Sequence, residues 1–203
     1  RPPWPALLHL LSECTLARRR VVVTGLGIVS PVGNSVEEAW QNILAGKSGI
    51  AAVTKFDVST FPVKFAGEVK NFDITQYISA KDARRMDDFI HFGLAAGIQA
   101  VRDAGLDKEN VVDLERVGVA IGSGIGGLPL IEATQLEYAA GGVRKVSPFF
   151  VPGSIINMIS GNLSIEFGFT GPNIALVSAC TTGTHSIGDA ARIIEYGDAD
   201  VMV

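Results

Sequence analysis

The sequence predicts an α/β fold, a mostly parallel sheet covered by helices on both faces. Three observations carry this. Apolar runs and helical patterns alternate from residue 18 to the end of the chain. The runs at 21–23, 117–121 and 174–178 are apolar along their length instead of at every second residue, as strands buried on both faces require. The chain is 47% hydrophobic with a formal net charge of −4, which supports a sizeable core and excludes a disordered polyelectrolyte.

The elements follow in order. Residues 21–23 form a β-branched run ending at Gly25 and Gly27, a buried-strand signal. Residues 35–45 read as a helix: Ser35 is an N-cap, Glu38 stands three positions on as in a capping box, and Gly46 stops it. Residues 47–78, with Pro62 and scattered aromatics, read as an irregular excursion. Ser79 caps a longer helix expected to run through Ala104 to a stop at Gly105. A second strand at 117–121 enters the glycine run Gly122-Ser-Gly-Ile-Gly-Gly127. Residues 154–167 read as an apolar helix, 174–178 as a third strand, and 181–196 as a helix closed by Gly197. A fourth strand starts at 201–203, and its shortness leads us to expect more chain belonging to this fold.

Residues 1–17 differ in character. Pro2, Pro3 and Pro5 crowd the start, and His9 and Glu13 interrupt or follow a short apolar run. That fits a signal peptide poorly. We read 1–17 as a leader or an added extension, and 18–203 as the folded unit.

The mildly acidic balance, 17 Lys+Arg against 21 Asp+Glu, argues against a nucleic-acid partner, which needs a broad basic surface to replace phosphate counterions. Two cysteines, Cys14 and Cys180, build no disulfide framework. With three histidines and no CxxC, they suggest no metal site. Residues 146–188 carry one charged side chain, Glu166. Prolines and asparagines break any apolar helix of ~20 residues there, so the stretch is not a membrane span. It reads as a segment buried on nearly every side, against another half or another subunit.

Two motifs invite chemistry. Gly122 to Gly127 fits GxGxxG after a strand, which alone would propose a dinucleotide site. Pro129 follows at once, and no acidic residue closes a strand about 20 positions on, so the other reading is a tight turn approached closely by another surface. Cys180 lies in Val177-Ser-Ala-Cys-Thr-Thr-Gly-Thr184, between strand and helix. Unpaired N–H groups and the helix dipole at such a position favour thiolate, and an elbow lifts the side chain toward a cleft. A small buried hydrophobe is the alternative. His185, about 140° around the same helix, faces away from Cys180, and nothing fixes His91 nearby. Lys81, Arg84 and Arg85 share one helix face at i, i+3, i+4. They are either a dock for an acidic partner or a solvated face beside Asp82, Asp87 and Asp88.

Taken with Val177-Ser-Ala-Cys-Thr-Thr-Gly-Thr-His185, several segments carry one resemblance. They are Val21-Val-Val-Thr-Gly-Leu-Gly, Ser30-Pro-Val-Gly-Asn34, Lys81-Asp-Ala-Arg-Arg-Met86, Gly118 through Gly127, Lys145-Val-Ser-Pro-Phe-Phe-Val-Pro152 and Tyr196-Gly-Asp-Ala-Asp-Val-Met-Val203. The chain resembles a beta-ketoacyl-acyl-carrier-protein synthase, most like the bacterial type II elongating enzymes, over about residues 18–203.

The resemblance implies a thiolase-like αβαβα layered fold, of which this chain is the N-terminal half, and a homodimer. It implies an acyltransferase of fatty acid biosynthesis in the cytoplasm. Cys180 would accept an acyl group from acyl-carrier protein, and decarboxylative condensation with malonyl-carrier protein would extend it by two carbons. No cofactor or metal is implied. The Cys180 N–H would be one oxyanion donor; the second donor and two catalytic histidines would lie in the other half, so this chain alone is expected to be inactive. Gly124, Ile125 and Leu128 would line the acyl pocket, and Phe150 would enter the neighbouring subunit's pocket. Lys81, Arg84 and Arg85 would dock the acidic carrier protein. The competing readings are a nicotinamide oxidoreductase and a non-catalytic half that only packs or binds.

Overall fold

The computed structural model describes residues 19–106, 110 and 113–203. The expected extension at 1–17, with Cys14 and His9, lies outside them. Around β3 (Val117–Ala120), a parallel three-stranded sheet forms in the order β4-β3-β5, with β4 at Asn173–Ile174 and β5 at Val201–Met202. All four β3 residues are buried. Since side chains alternate across a strand, both of its faces must be covered.

One face carries the core. Val117 and Val119 pack with Ile90, Leu94, Ile98 and Val101 of α3 (Asp88–Asp103) and with Ile159, Leu163 and Phe167 of α6 (Met158–Phe167). The long helix α7 (Thr182–Tyr196) packs on β3 and β5 as well. Ser160, fully buried on α6, accepts the Ile121 N–H and sets its Oγ 2.9 Å from the carbonyls of Ile121 and Ile174, which share its one hydrogen; it joins the helix to the ends of two strands.

The parallel sheet and the helix at α1 (Val36–Leu44) agree with expectation. Ser35 Oγ accepts the Glu38 N–H, and Glu38 reaches back to the N–H of Asn34, one residue earlier than a standard capping box. Positive φ at Gly46, Gly105 and Gly197 marks the three expected stops.

Other expectations need correction. Residues 21–23 are not a strand: no ladder partner exists for them among the described residues, and Val23 is 78% exposed. The chain just after it, residues 25–28, lies along α3. Leu26 N–H donates to Asp103 and Ile28 N–H to Gln99, and a Cβ on Gly27 would stand 1.9 Å from the Ala96 carbonyl. Only glycine permits so close a backbone crossing.

The helix expected from 79 to 104 is two. Ser79 caps α2 (Ala80–Ala83), the chain breaks, and Asp87 caps α3. A second N-cap inside an apparently continuous helical pattern made the break hard to see. His91 holds it: Nε2 lies 2.9 Å from the Ala83 carbonyl.

The excursion at 47–78 contains an antiparallel pair, β1 (Ile50–Ala52) and β2 (Phe65–Gly67), too short to show alternation. The apolar helix at 154–167 is split into α5 (Phe150–Ser154) and α6. The helix α4 (Leu128–Gly141) is not among the expected elements; its Pro129 sits in the first turn, where the missing N–H costs nothing. Of the expected third strand at 174–178 only Ile174 pairs, with Asn173 before it. Within this chain, residues 146–188 present two faces: Ile159, Leu163 and Phe167 join the core, while Ile165 is 76% exposed and Val151, Val177 and Ile187 are exposed too. Their low charge serves a core face and an open apolar face together.

Among the described residues, no helix is long and apolar enough to cross a membrane.

Candidate functional site

β4 leads through residues 175–178 into a single tight turn, Ala179–Thr181, from which α7 starts. Cys180 occupies the middle of that turn, as an exposed free thiol. Within this chain the thiol is open and not packed as a small core hydrophobe. Ala179, just before it, has φ +52°. A non-glycine residue pays of order 1–3 kcal/mol to sit there and does so only where its surroundings over-determine it.

Those surroundings are hydroxyl groups. Ser178 N–H donates to Thr182 Oγ1 at 3.0 Å, and Thr182 Oγ1 donates to the Ala179 carbonyl at 2.7 Å. Thr181 Oγ1 donates to the Ser178 carbonyl at 2.7 Å. His185, one turn into α7, places Nδ1 2.7 Å from Ser178 Oγ. It is exposed, and it is engaged with the elbow's base. Ser178, Thr181 and Thr182 were not singled out in the sequence, though three hydroxyls bracketing one cysteine were there to be read.

The glycine run meets this elbow. A Cβ on Gly122 would fall 2.0 Å from the Leu176 carbonyl, and one on Gly124 would come within 3.4 Å of the Ala179 carbonyl. The close-approach reading of the glycines is therefore the observed one, and the approaching surface is the strand that delivers Cys180. Within the glycine run Ile125 is 71% exposed, and just past it Leu128, the first residue of α4, is 54% exposed. They are large apolar side chains left open next to the elbow's neighbouring turn.

The basic residues lie elsewhere. Lys81 and Arg84 are exposed, and neither forms an ion pair among the described residues. They do not share a helix face with Arg85, because α2 ends at Ala83. Arg85 is half-buried instead, its guanidinium 4.4 Å over the Phe149 ring and 3.9 Å from Asp82. Phe150 opens α5 and lines a small cleft of about 230 Å³ with Arg84, Arg85 and Leu130. A larger cavity of about 740 Å³, walled by Tyr77, Met86, Met158 and Ile165, does not contain Cys180. Size does not make it the reaction site, since its walls hold no thiol. Among the described residues, no three His, Cys, Asp or Glu side chains converge on a metal position.

Residues 18–203 match the protein family described as "Beta-ketoacyl synthase, N-terminal domain". The chain belongs to the beta-ketoacyl synthase family. Its similarity to one synthase is close: "3-oxoacyl-[acyl-carrier-protein] synthase 2" of Vibrio cholerae serotype O1 is 60% identical over 188 residues, covering 93% of this chain and 45% of that protein. The chain thus spans about half the length of the curated relatives it matches. Two solved ketosynthases share the fold. The ishigamide ketosynthase/chain length factor superposes with a TM-score of 0.83 at 28% identity, over 92% of this chain and 46% of that one. A ketosynthase bound to a hexaketide, in complex with a type II PKS acyl-carrier protein, gives 0.74 at 27% identity, over 91% and 50%. The ketoacyl synthase architecture is thiolase-like, as expected, and the nicotinamide oxidoreductase reading is set aside.

Proposed function

We propose that this chain is the nucleophile-bearing, N-terminal half of a 3-oxoacyl-[acyl-carrier-protein] synthase that elongates fatty acids in the cytoplasm. One observation carries the reading: an exposed cysteine on a positive-φ strand-to-helix turn, clasped by a glycine loop. The high identity to named synthases supports the substrate class.

In this reading the Cys180 thiolate attacks the thioester of an acyl-carrier protein. The tetrahedral intermediate collapses, the carrier's thiol leaves with a proton, and the acyl group rests on Sγ. Malonyl-carrier protein then loses carbon dioxide, and the resulting carbanion attacks the acyl-enzyme. Cys180 departs as thiolate and leaves a 3-oxoacyl product two carbons longer. Covalent capture divides one difficult condensation into two easier steps. The Cys180 N–H serves as one oxyanion donor, a contribution typically of ~3 kcal/mol. The second donor and the histidines that assist decarboxylation are assigned to chain beyond this half, so residues 1–203 alone complete no turnover.

Gly124, Ile125 and Leu128 line the acyl pocket, and Phe150 enters the pocket of the second subunit in a homodimer. The open apolar side chains of the glycine loop and α4 support this. Lys81, Arg84 and Arg85 receive the acidic carrier protein; the exposure of the first two supports docking, while Arg85 contributes through its stack on Phe149. No redox cofactor or metal takes part.

The test is a product assay. The protein in its natural full-length form is supplied with acyl- and malonyl-carrier proteins, and the carrier-bound products are weighed by mass spectrometry. A 3-oxoacyl product with release of carbon dioxide supports the reading. Hydrolysis alone, or no acyl transfer, refutes it.

A further inference from the structure

Asp87 is the one charged residue buried among the described residues. Its carboxylate is shared between two helices. Oδ1 accepts the Phe89 N–H, capping α3, and Oδ2 accepts the Leu130 N–H at 2.8 Å, in the first turn of α4. Its own N–H donates to the Gly153 carbonyl of α5 at 3.1 Å. Gly127, the last residue before α4, leaves room for it: a Cβ there would stand 3.0 Å from the Asp87 Cβ. Gly127 N–H in turn donates to the Ser154 carbonyl at 2.9 Å. Thus one side chain, at the break between α2 and α3, fixes where the glycine loop becomes helix.

That junction carries Ile125 and Leu128 on one side. On the other stand Arg84 and Arg85, two and three residues before Asp87. We infer that Asp87 is a positioning residue for acyl-chain selection: its buried carboxylate holds the start of α4 so that Ile125 and Leu128 form a fixed wall. The inference rests on the pocket assignment above. A wall held by a charge-assisted hydrogen bond resists displacement by a longer chain. A wall released from it yields, and discrimination between chain lengths narrows. A methylene in a rigid apolar pocket is worth roughly 10- to 200-fold in kcat/KM, so there is a range to lose.

Two substitutions separate capping from positioning. Asp87→Ser keeps an N-cap for α3, serine being a preferred capping residue, but is too short to reach Leu130. Asp87→Asn retains one acceptor that can serve Leu130. The readout is kcat/KM for a series of acyl thioesters from short to long, free of carrier protein, in the natural full-length form. Ser35→Ala, which removes an N-cap from the distant α1, is the control for simple destabilisation. Asp87→Ser is expected to compress the ratio between best and worst chain lengths by about five-fold, the size of one net hydrogen bond. Asp87→Asn should recover most of it, and Ser35→Ala should leave it unchanged. Equal loss for every chain length overturns the inference, as does an unaltered profile, and as does failure of both Asp87 variants to fold. An unsubstituted protein that transfers no acyl group refutes instead the function proposed above.

Discussion

His185 Nδ1 and Ser178 Oγ meet at 2.7 Å, across the base of the turn that presents Cys180. The contact links the first full turn of α7 to the end of the strand segment. With the Thr182 hydroxyl, it makes the elbow a small closed network. The two parts of this network should differ in weight. Thr182 is buried, so Thr182→Val leaves the Ser178 N–H without its acceptor at nearly constant volume, costing about 1–3 kcal/mol. Ser178→Ala removes a contact to an exposed histidine and should cost less, about 0.5–1 kcal/mol. Thermal melting decides the order: Thr182→Val should fall several degrees further than Ser178→Ala. The reverse order would show that the His185 contact, and not the buried hydroxyl, holds the turn.

Gly122→Ala tests the clasp between the glycine loop and the cysteine strand. The added methyl would enter the Leu176 carbonyl, a backbone atom that cannot swing aside. A loss of at least about 2–3 kcal/mol is expected, as for overpacking a tight core. Denaturant unfolding measures it. A variant as stable as the parent would mean that the two turns do not touch.

The sheet's own fastening predicts an acid limb. Asp200, beside β5, accepts from Arg116 Nε at 3.1 Å and Nη2 at 2.9 Å, and pairs with Arg19. Hydrogen bonds from Arg116 and then from Arg19 hold its carboxyl at about 2, below the ordinary 3.8. The unfolded chain takes up this proton more readily than the native one. The stabilisation is therefore complete above about pH 4 and is lost as pH falls toward about 2. Melting temperature followed from pH 6 to about pH 2 should drop more for the parent than for Asp200→Asn. Parallel curves would remove Asp200 from the account.

The docking proposal separates protein substrate from small substrate. Reversing Lys81 and Arg84 to Glu should raise KM for acyl-carrier protein by about ten-fold and weaken its salt dependence, because complementary charge acts mainly on encounter. Turnover of a small thioester should change little. Equal loss with both substrates would point to a damaged fold at the α2–α3 break.

What the sequence showed of this site follows from how local each feature is. The glycine and cysteine turns were legible because a close approach demands glycine and an elbow demands a strand beside a helix start. Arg84 and Arg85 were misplaced onto one helix face because Asp87 looks like a surface acid in a helical pattern. Its cap on α3 is local, but its second bond, from the Leu130 N–H, comes from 43 residues away, and no local pattern contains that. Residues 21–23 have a strand's composition, but a strand also needs a neighbour, and composition does not report one. The helix at α4 begins directly after the glycine run without a side-chain cap, so its start carries no capping signal, and Pro129 marks a start only when its place in the first turn is already known.

The central claim is that acyl groups pass through Cys180, and mass mapping tests it most directly. The natural full-length protein is incubated with acyl-carrier protein bearing a labelled acyl chain, digested, and its peptides weighed. Labelling should fall on the peptide containing Cys180 alone, and Cys180→Ala should fold with an unchanged melting profile and carry no label. Label on another residue, or full acyl transfer by Cys180→Ala, would contradict the account.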